Sequence, residues 1–344
     1  MSEGNIFYYD MALLNTGTYP IVAQISDQRS GTILENPQEW EMSVVRFDLS
    51  SDLIPIFFPI ITTSPQSNQS VTLRYLNNDF RQYVQATSNE IKEGVFDFQI
   101  WLNHVNDALQ LAFTALKAAF PAAAPTLPPL LFLNPQTSLI SLYTQDTYLD
   151  TNPARIQIGV NQPLQQILDF PCNRGLMFPS LNGFDCEIAI NQSASLLPVA
   201  PRATYPIALS ALAGTWIQTS QEFRSLDEWS QIKSIAFQSQ LLPIVKEYVP
   251  SSVDQYQNDN ISSSSFPIVT DFLVAKDGVE PTRHHYTYLP TAEYRMISLV
   301  GNKPISRVDM GATYQTDDGV IRPVMIAPNK GMNLKLVFRR INKI

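Results

Sequence analysis

The residues best suited to chemistry in this chain are few. His104, His284 and His285 are its only histidines, and Cys172 and Cys186 its only cysteines. An adjacent imidazole pair is a natural metal-ligand candidate. In an extended segment, however, neighbouring side chains point to opposite faces, so His284 and His285 cannot readily share one ion within a chain. His104 sits beside Asn103 on the polar side of a helical pattern, where a histidine is ordinarily solvated or hydrogen-bonded. The cysteines stand 14 residues apart, outside any C-x-x-C spacing. They read as two reduced, half-buried thiols, with a disulfide allowed rather than required. Asp317-Asp318-Gly319 reads as a turn, because the spaced oxygen ligands of a calcium loop are missing. The sequence has no G-x-S-x-G elbow, Walker loop or H-E-x-x-H helix. Its acidic residues are scattered, so a glycosidase-type carboxylate pair stays open but none is singled out. The expectation is a non-enzyme with no catalytic residue, metal or cofactor.

Binding chemistry has two further candidates. Trp101, Trp216 and Trp229 could stack on a glycan if exposed, although each also reads as core. Lys335, Arg339, Arg340 and Lys343 cluster at the C-terminus. They read either as the solvent face of an alternating strand or as a contact to an acidic neighbour or nucleic acid. The net charge of −8 argues against bulk nucleic-acid binding, which needs a dense positive surface. Any such contact is therefore local.

The elements that must position these residues are mostly strands. From Met296 onward, β-prone runs alternate with Gly301-Asn302-Lys303-Pro304, Asp317-Asp318-Gly319 and Pro328-Asn329-Lys330-Gly331, where Asp-Gly and Asn-x-Gly can supply the positive φ of tight turns. Such spacing predicts an antiparallel meander in a sandwich or barrel. Further strands are expected at Trp40–Leu49, Ser70–Leu76, Leu130–Tyr143, Arg155–Val160, Asp185–Ile190, Ile232–Phe237, Leu241–Val245 and Phe266–Ala275. One helix is expected near 97–120. Phe98, Trp101, Leu102, Val105, Leu109, Phe113, Leu116 and Phe120 form one apolar stripe, Asp97 can cap its start and Pro121 stops it. Residues 1–36 read as an extended arm lying along a neighbour, or as partly disordered. Trp40…Leu53-Ile54-Pro55 and Trp229…Leu241-Leu242-Pro243 echo each other, by chance or by duplication.

Charged residues make up 16% of the chain, below the usual quarter, with amides and hydroxyls in their place. Such a surface loses less when buried against neighbours, which favours assembly. The longest apolar run, Leu53–Ile61, is interrupted by Pro55 and Pro59 and is too short to span a bilayer. The N-terminus lacks the features of a signal peptide. Sequons at Asn68, Asn191 and Asn260 are unsurprising in so Asn- and Ser-rich a sequence.

Four passages carry a family resemblance: Glu39–Pro59 (EWEMSVVRFDLSSDLIPIFFP), Phe96–Pro121 (FDFQIWLNHVNDALQLAFTALKAAFP), Leu130–Leu149 (LLFLNPQTSLISLYTQDTYL) and Lys303–Ile341 (KPISRVDMGATYQTDDGVIRPVMIAPNKGMNLKLVFRRI). With them the chain resembles the penton (minor capsid) proteins of virophages and Polinton-like viruses, in the adenovirus-like double-jelly-roll virus lineage. The resemblance implies a mainly β fold: a single jelly-roll β-sandwich with a large inserted α+β domain containing the long helix. Two jelly rolls are the alternative. Residues 37–80 and 230–344 would form the jelly roll and 81–229 the insertion. Five copies would close an icosahedral vertex of the virion as a homopentamer against the major capsid protein, with cement or fibre proteins as further candidate partners. A receptor- or glycan-binding β-module and a carboxylate-dependent β-sandwich hydrolase are the competing functions.

Overall fold

The computed structural model describes residues 6–63, 65–122, 127–134, 137, 139–180, 183–190, 216–223, 225, 231–248, 265–273, 285–288, 295–316 and 321–341. The chain divides into two compact units, Met1–Ile54 with Gln231–Ile344, and Pro55–Ser230. The first opens with strands β1 (Ile6–Leu14), β2 (Gln24–Gln28) and β3 (Trp40–Ser50). The second carries β4 (Gln66–Tyr75), β5 (Asn78–Gln85), α1 (Ser88–Glu93), α2 (Phe98–Ala119), β6 (Leu130–Leu133) and β7 (Ile140–Thr144). It continues with β8 (Gln157–Asn161), α3 (Gln162–Leu168), β9 (Cys172–Ser180), β10 (Gly183–Ile188) and β11 (Ile217–Ser220). The chain then returns to the first unit with β12 (Ile232–Gln238), β13 (Ile268–Leu273), β14 (His285–Tyr288), β15 (Arg307–Thr316) and β16 (Gly331–Arg340).

In the first unit one sheet runs β1-β16-β3-β14 and the other β2-β15-β12-β13, with every pair antiparallel. Counted within this unit alone, the orders are 1-8-3-6 and 2-7-4-5. That is the strand order of an eight-stranded jelly roll, two Greek keys folded into a sandwich. The facing sheets meet through aromatic side chains. The Phe47 ring of β3 lies 4.9 Å from Phe237 of β12 and 4.9 Å from Phe272 of β13. At one margin Tyr9 Oη of β1 donates to Asp27 Oδ2 of β2 at 2.5 Å, closing one sheet onto the other.

Strand β3 shows how the inward face is chosen. Met42 and Val44 are buried, and so are Phe47 and Leu49, although the two sets are out of phase. The register against β16 slips there: Lys335 pairs with Arg46 and Leu336 with Val44, leaving Val45 as the extra residue of a bulge. The bulge resets the alternation, so both apolar halves of the strand face the core. A strict period of two allows only one half inward.

The second unit packs α2 against β4, β5 and β6. Its longer sheet runs β9-β10-β8-β4, with β5 also paired to β4, and a smaller sheet runs β11-β7-β6. Trp101, Leu102, Val105, Leu109 and Leu116 of α2 are buried with Val71, Leu73, Ile158 and Ile188 of the sheet. The Asp97 side chain caps α2 by accepting from Gln99 N at 2.6 Å. The long helix thus ends within a residue or two of the predicted bounds. This unit is a helix-backed sheet, so the chain holds one jelly roll rather than two.

Three expectations need correction. The segment expected to lie along a neighbour as an arm, residues 1–36, instead supplies β1 and β2, integral strands of the chain's own two sheets. Buried Tyr9 and Met11 anchor β1, and the apolar residues in the other phase of the strand hid the pattern. The compact inserted unit begins at Pro55 rather than near residue 81, because β4 pairs with β8, deep inside the insertion. Leu241–Val245 is not a strand. Its first residues are folded into a turn by Asp309 of β15, whose carboxylate accepts from Ser239 Oγ at 2.5 Å and from the N–H groups of Gln240 and Leu241 at 3.0 Å.

Candidate assembly surface

The most distinctive surface of the jelly-roll unit is the outer side of β1, the edge strand of its sheet. Tyr9 and Met11 point inward, while Ile6, Tyr8 and Leu14 are 51%, 57% and 64% exposed. The following turn adds exposed Tyr19, and the two-residue strand after it exposed Val22. Asn15 holds that turn, its Nδ2 donating to Tyr19 O at 2.8 Å and to Ile326 O at 3.0 Å. Scattered exposed apolar residues are ordinary. A row of them along an edge strand is different, since such an edge also offers unpaired backbone donors and acceptors.

The predicted cations border this row. Lys335 is opposite Asp10 in the β1–β16 ladder, with its Nζ 3.7 Å from Asp10 Oδ2 and 5.3 Å from the centre of the Tyr8 ring. Arg339 Nε donates to Glu41 Oε1 at 2.6 Å, and Arg340 Nη2 to Glu39 Oε2 at 2.5 Å. Each cation therefore has a carboxylate within its own chain. Lys343 lies outside the described residues. Alternating charge on the last strand could be read from sequence. The partners Asp10, Glu39 and Glu41 could not, because they lie about 300 positions away.

The residues suited to catalysis come out as structural. His104 Nε2 is 2.7 Å from Glu90 Oε1, joining α2 to α1. The backbone of His285 lies in β14 against Ser50, and His284 lies outside the described residues. Trp101 is fully buried, its indole N–H donating to Gln69 Oε1 at 2.8 Å, and Trp216 is buried with Leu130 and Tyr143. Neither can offer a face to a glycan, and Trp229 lies outside the described residues. Two carboxylates of β10, Asp185 and Glu187, are almost wholly buried. Arg81 pairs with Asp185, and Arg155 Nη2 donates to Glu187 Oε1 at 2.7 Å. These ion pairs tie β10 to β5 and to the segment that leads into β8, an anchoring role. Among the described residues no group of three His, Cys, Asp or Glu side chains is placed to hold a metal ion. Nor is any described helix long and apolar enough to cross a membrane. The turn at Asp317-Asp318-Gly319 and the sequons at Asn191 and Asn260 also lie outside the described residues.

Known proteins match nearly the whole chain. The family model for the Sputnik minor capsid protein V18/19 matches residues 7–94 and 65–340. Structural protein V19 of Sputnik virophage is 29% identical over 215 residues, which are 60% of this chain and 92% of that protein. Protein V18 of the same virophage is 27% identical over 154 residues, 36% of this chain and 91% of that protein. A chain of the cryo-electron microscopy structure of the Sputnik virophage superimposes with a TM-score of 0.78 at 25% identity, over 98% of this chain and 99% of that one. The crystal structure of the mavirus penton protein shares the fold, with a TM-score of 0.70 at 14% identity over the same shares of the two chains. With a jelly roll whose edge strand is exposed, this chain belongs to the Sputnik minor capsid protein V18/19 family and is a structural protein of the capsid.

Proposed function

We propose that this protein is the penton of its virion: five copies close a ring at each icosahedral vertex, held by the surrounding major capsid protein. The observation that carries the reading is the likeness to the mavirus penton protein over 98% of the chain, insertion included. A closed ring needs a heterologous interface, in which one patch of each copy meets a different patch of the next. The apolar outer row of β1 is one half of that contact. The cations Lys335, Arg339 and Arg340 form a charged rim that sets orientation more than affinity. Cement and fibre proteins are further partners for the surfaces the ring leaves free.

The test is a pair of substitutions on the outer row, Tyr8→Asp and Leu14→Asp. Both side chains point away from the core, so the fold should persist while ring formation weakens at least tenfold, read by sedimentation velocity over a concentration series. Unchanged assembly with both substitutions present would remove β1 from the interface.

A further inference from the structure

Cys172 opens β9 and Cys186 lies in β10, the strand hydrogen-bonded to it. The register sets Cys172 opposite Ile188 and Met177 opposite Cys186. Cys186 and Ile188 are two residues apart on an extended strand and share a face, and Cys172 shares that face with them. Between the two pairings β9 carries four residues where β10 carries one, a bulge that bends the strand. Cys172 Sγ donates to Phe170 O at 3.5 Å, and both thiols are free and half-buried.

Distance decides whether such a pair can close. Diagonal neighbours on an antiparallel ladder lie about 7–8 Å apart at Cα, the far limit for a disulfide. A regular ladder would hold them there. The bulge supplies the slack for the start of β9 to move in.

We propose that Cys172 and Cys186 are an intrachain oxidation site, which a low-molecular-weight disulfide of the glutathione class converts into a bond stapling β9 to β10. The Cys186 thiolate attacks one sulfur of the small disulfide, its S–S bond breaks and one small thiol leaves. Cys172, giving up its proton, attacks the mixed disulfide and releases the second. Two protein thiols are oxidised and one small disulfide is reduced to two thiols. Burial, with Cys186 and the carboxylates of Asp169 and Glu187 nearby, holds the Cys172 thiol well above its ordinary pKa. Cys172 is thus the slow partner. The site stays reduced in a glutathione-buffered compartment and closes in an oxidising one. Nothing in this depends on the oligomeric state, since every copy carries both strands.

The experiment takes the reduced full chain, adds excess oxidised glutathione, and follows intact mass without reductant, then maps peptides after alkylation. The expected product has lost two hydrogens, retains no glutathione, links the Cys172 and Cys186 peptides within one chain, and melts higher than the reduced form until dithiothreitol reverses it. The Cys172→Ser variant should stop at a glutathione adduct on Cys186. Stable adducts on the native chain, a cross-link between chains, or unchanged mass in folded protein would each overturn the proposal.

Discussion

Asp309 folds a turn that lies about 70 residues before it in sequence. Buried at 3% exposure, its carboxylate takes three hydrogen bonds from Ser239, Gln240 and Leu241. Asp309→Ala leaves those donors without acceptors, so a loss of about 3 kcal/mol is expected in urea unfolding, near 1 kcal/mol per lost bond. Asp309→Asn keeps one acceptor oxygen and should cost less. Glu90 makes a different prediction, in pH. Burial alone would raise its pKa, but the Thr87 N–H, His104 and the Thr87 hydroxyl donate to the carboxylate and together hold it below the ordinary 4.5. A depressed folded-state pKa stabilises the native state above the unfolded value. That stability drains away as pH falls through the folded value. The melting temperature of Glu90→Gln should therefore depend less on pH than that of the native chain in the range below about 4.5. An equal slope would show that Glu90 carries no part of the acid limb. The Asp309 turn and the Glu90–His104 contact were not legible in the sequence, because each joins residues whose proximity only the fold creates; the Thr87–Glu90 pair is local and carries the capping-box spacing.

At the scale of elements, the turn between β4 and β5 is strained. Leu76 and Asn77 have φ of +47° and +63°, and Leu76 is 66% exposed. A tight two-residue hairpin asks for Asn-Gly there, and a left-handed backbone costs a branched residue about 1–2 kcal/mol. Leu76→Asn should stabilise the protein by about 1 kcal/mol, seen as a higher thermal midpoint. A lower midpoint would mean that the leucine side chain makes contacts worth more than the strain. The turn before β16 follows its Asn-x-Gly reading, with the asparagine rather than the glycine in the left-handed region. The positive φ falls on Asn329, at +61°. Gly331 is needed for space, since a Cβ there would sit 2.5 Å from Leu13 O of the adjoining strand. Helix α2 was legible because Trp101, Val105, Leu109 and Leu116 repeat at helical spacing and Asp97 precedes them. Strand β1 was not, because apolar residues occupy both phases of IFYYDMALL. Only pairing with β16 shows which phase is inward.

At the scale of the whole molecule, the mainly β class and the position of the long helix were readable, but the point where the insertion leaves the jelly roll was not. Pairing decides that boundary: β4 looks like any sandwich strand until β8 is seen beside it. The jelly-roll order, the low charge and the exposed edge of β1 point to one central claim, a homopentameric vertex. The measurement that tests it most directly is native mass spectrometry of the purified chain over a concentration series, alone and with the major capsid protein. The expected result is a closed species of five 38.6 kDa chains, about 193 kDa, whose share grows with concentration or with the partner present. A chain that stays monomeric under both conditions, or closes at another number, would contradict it.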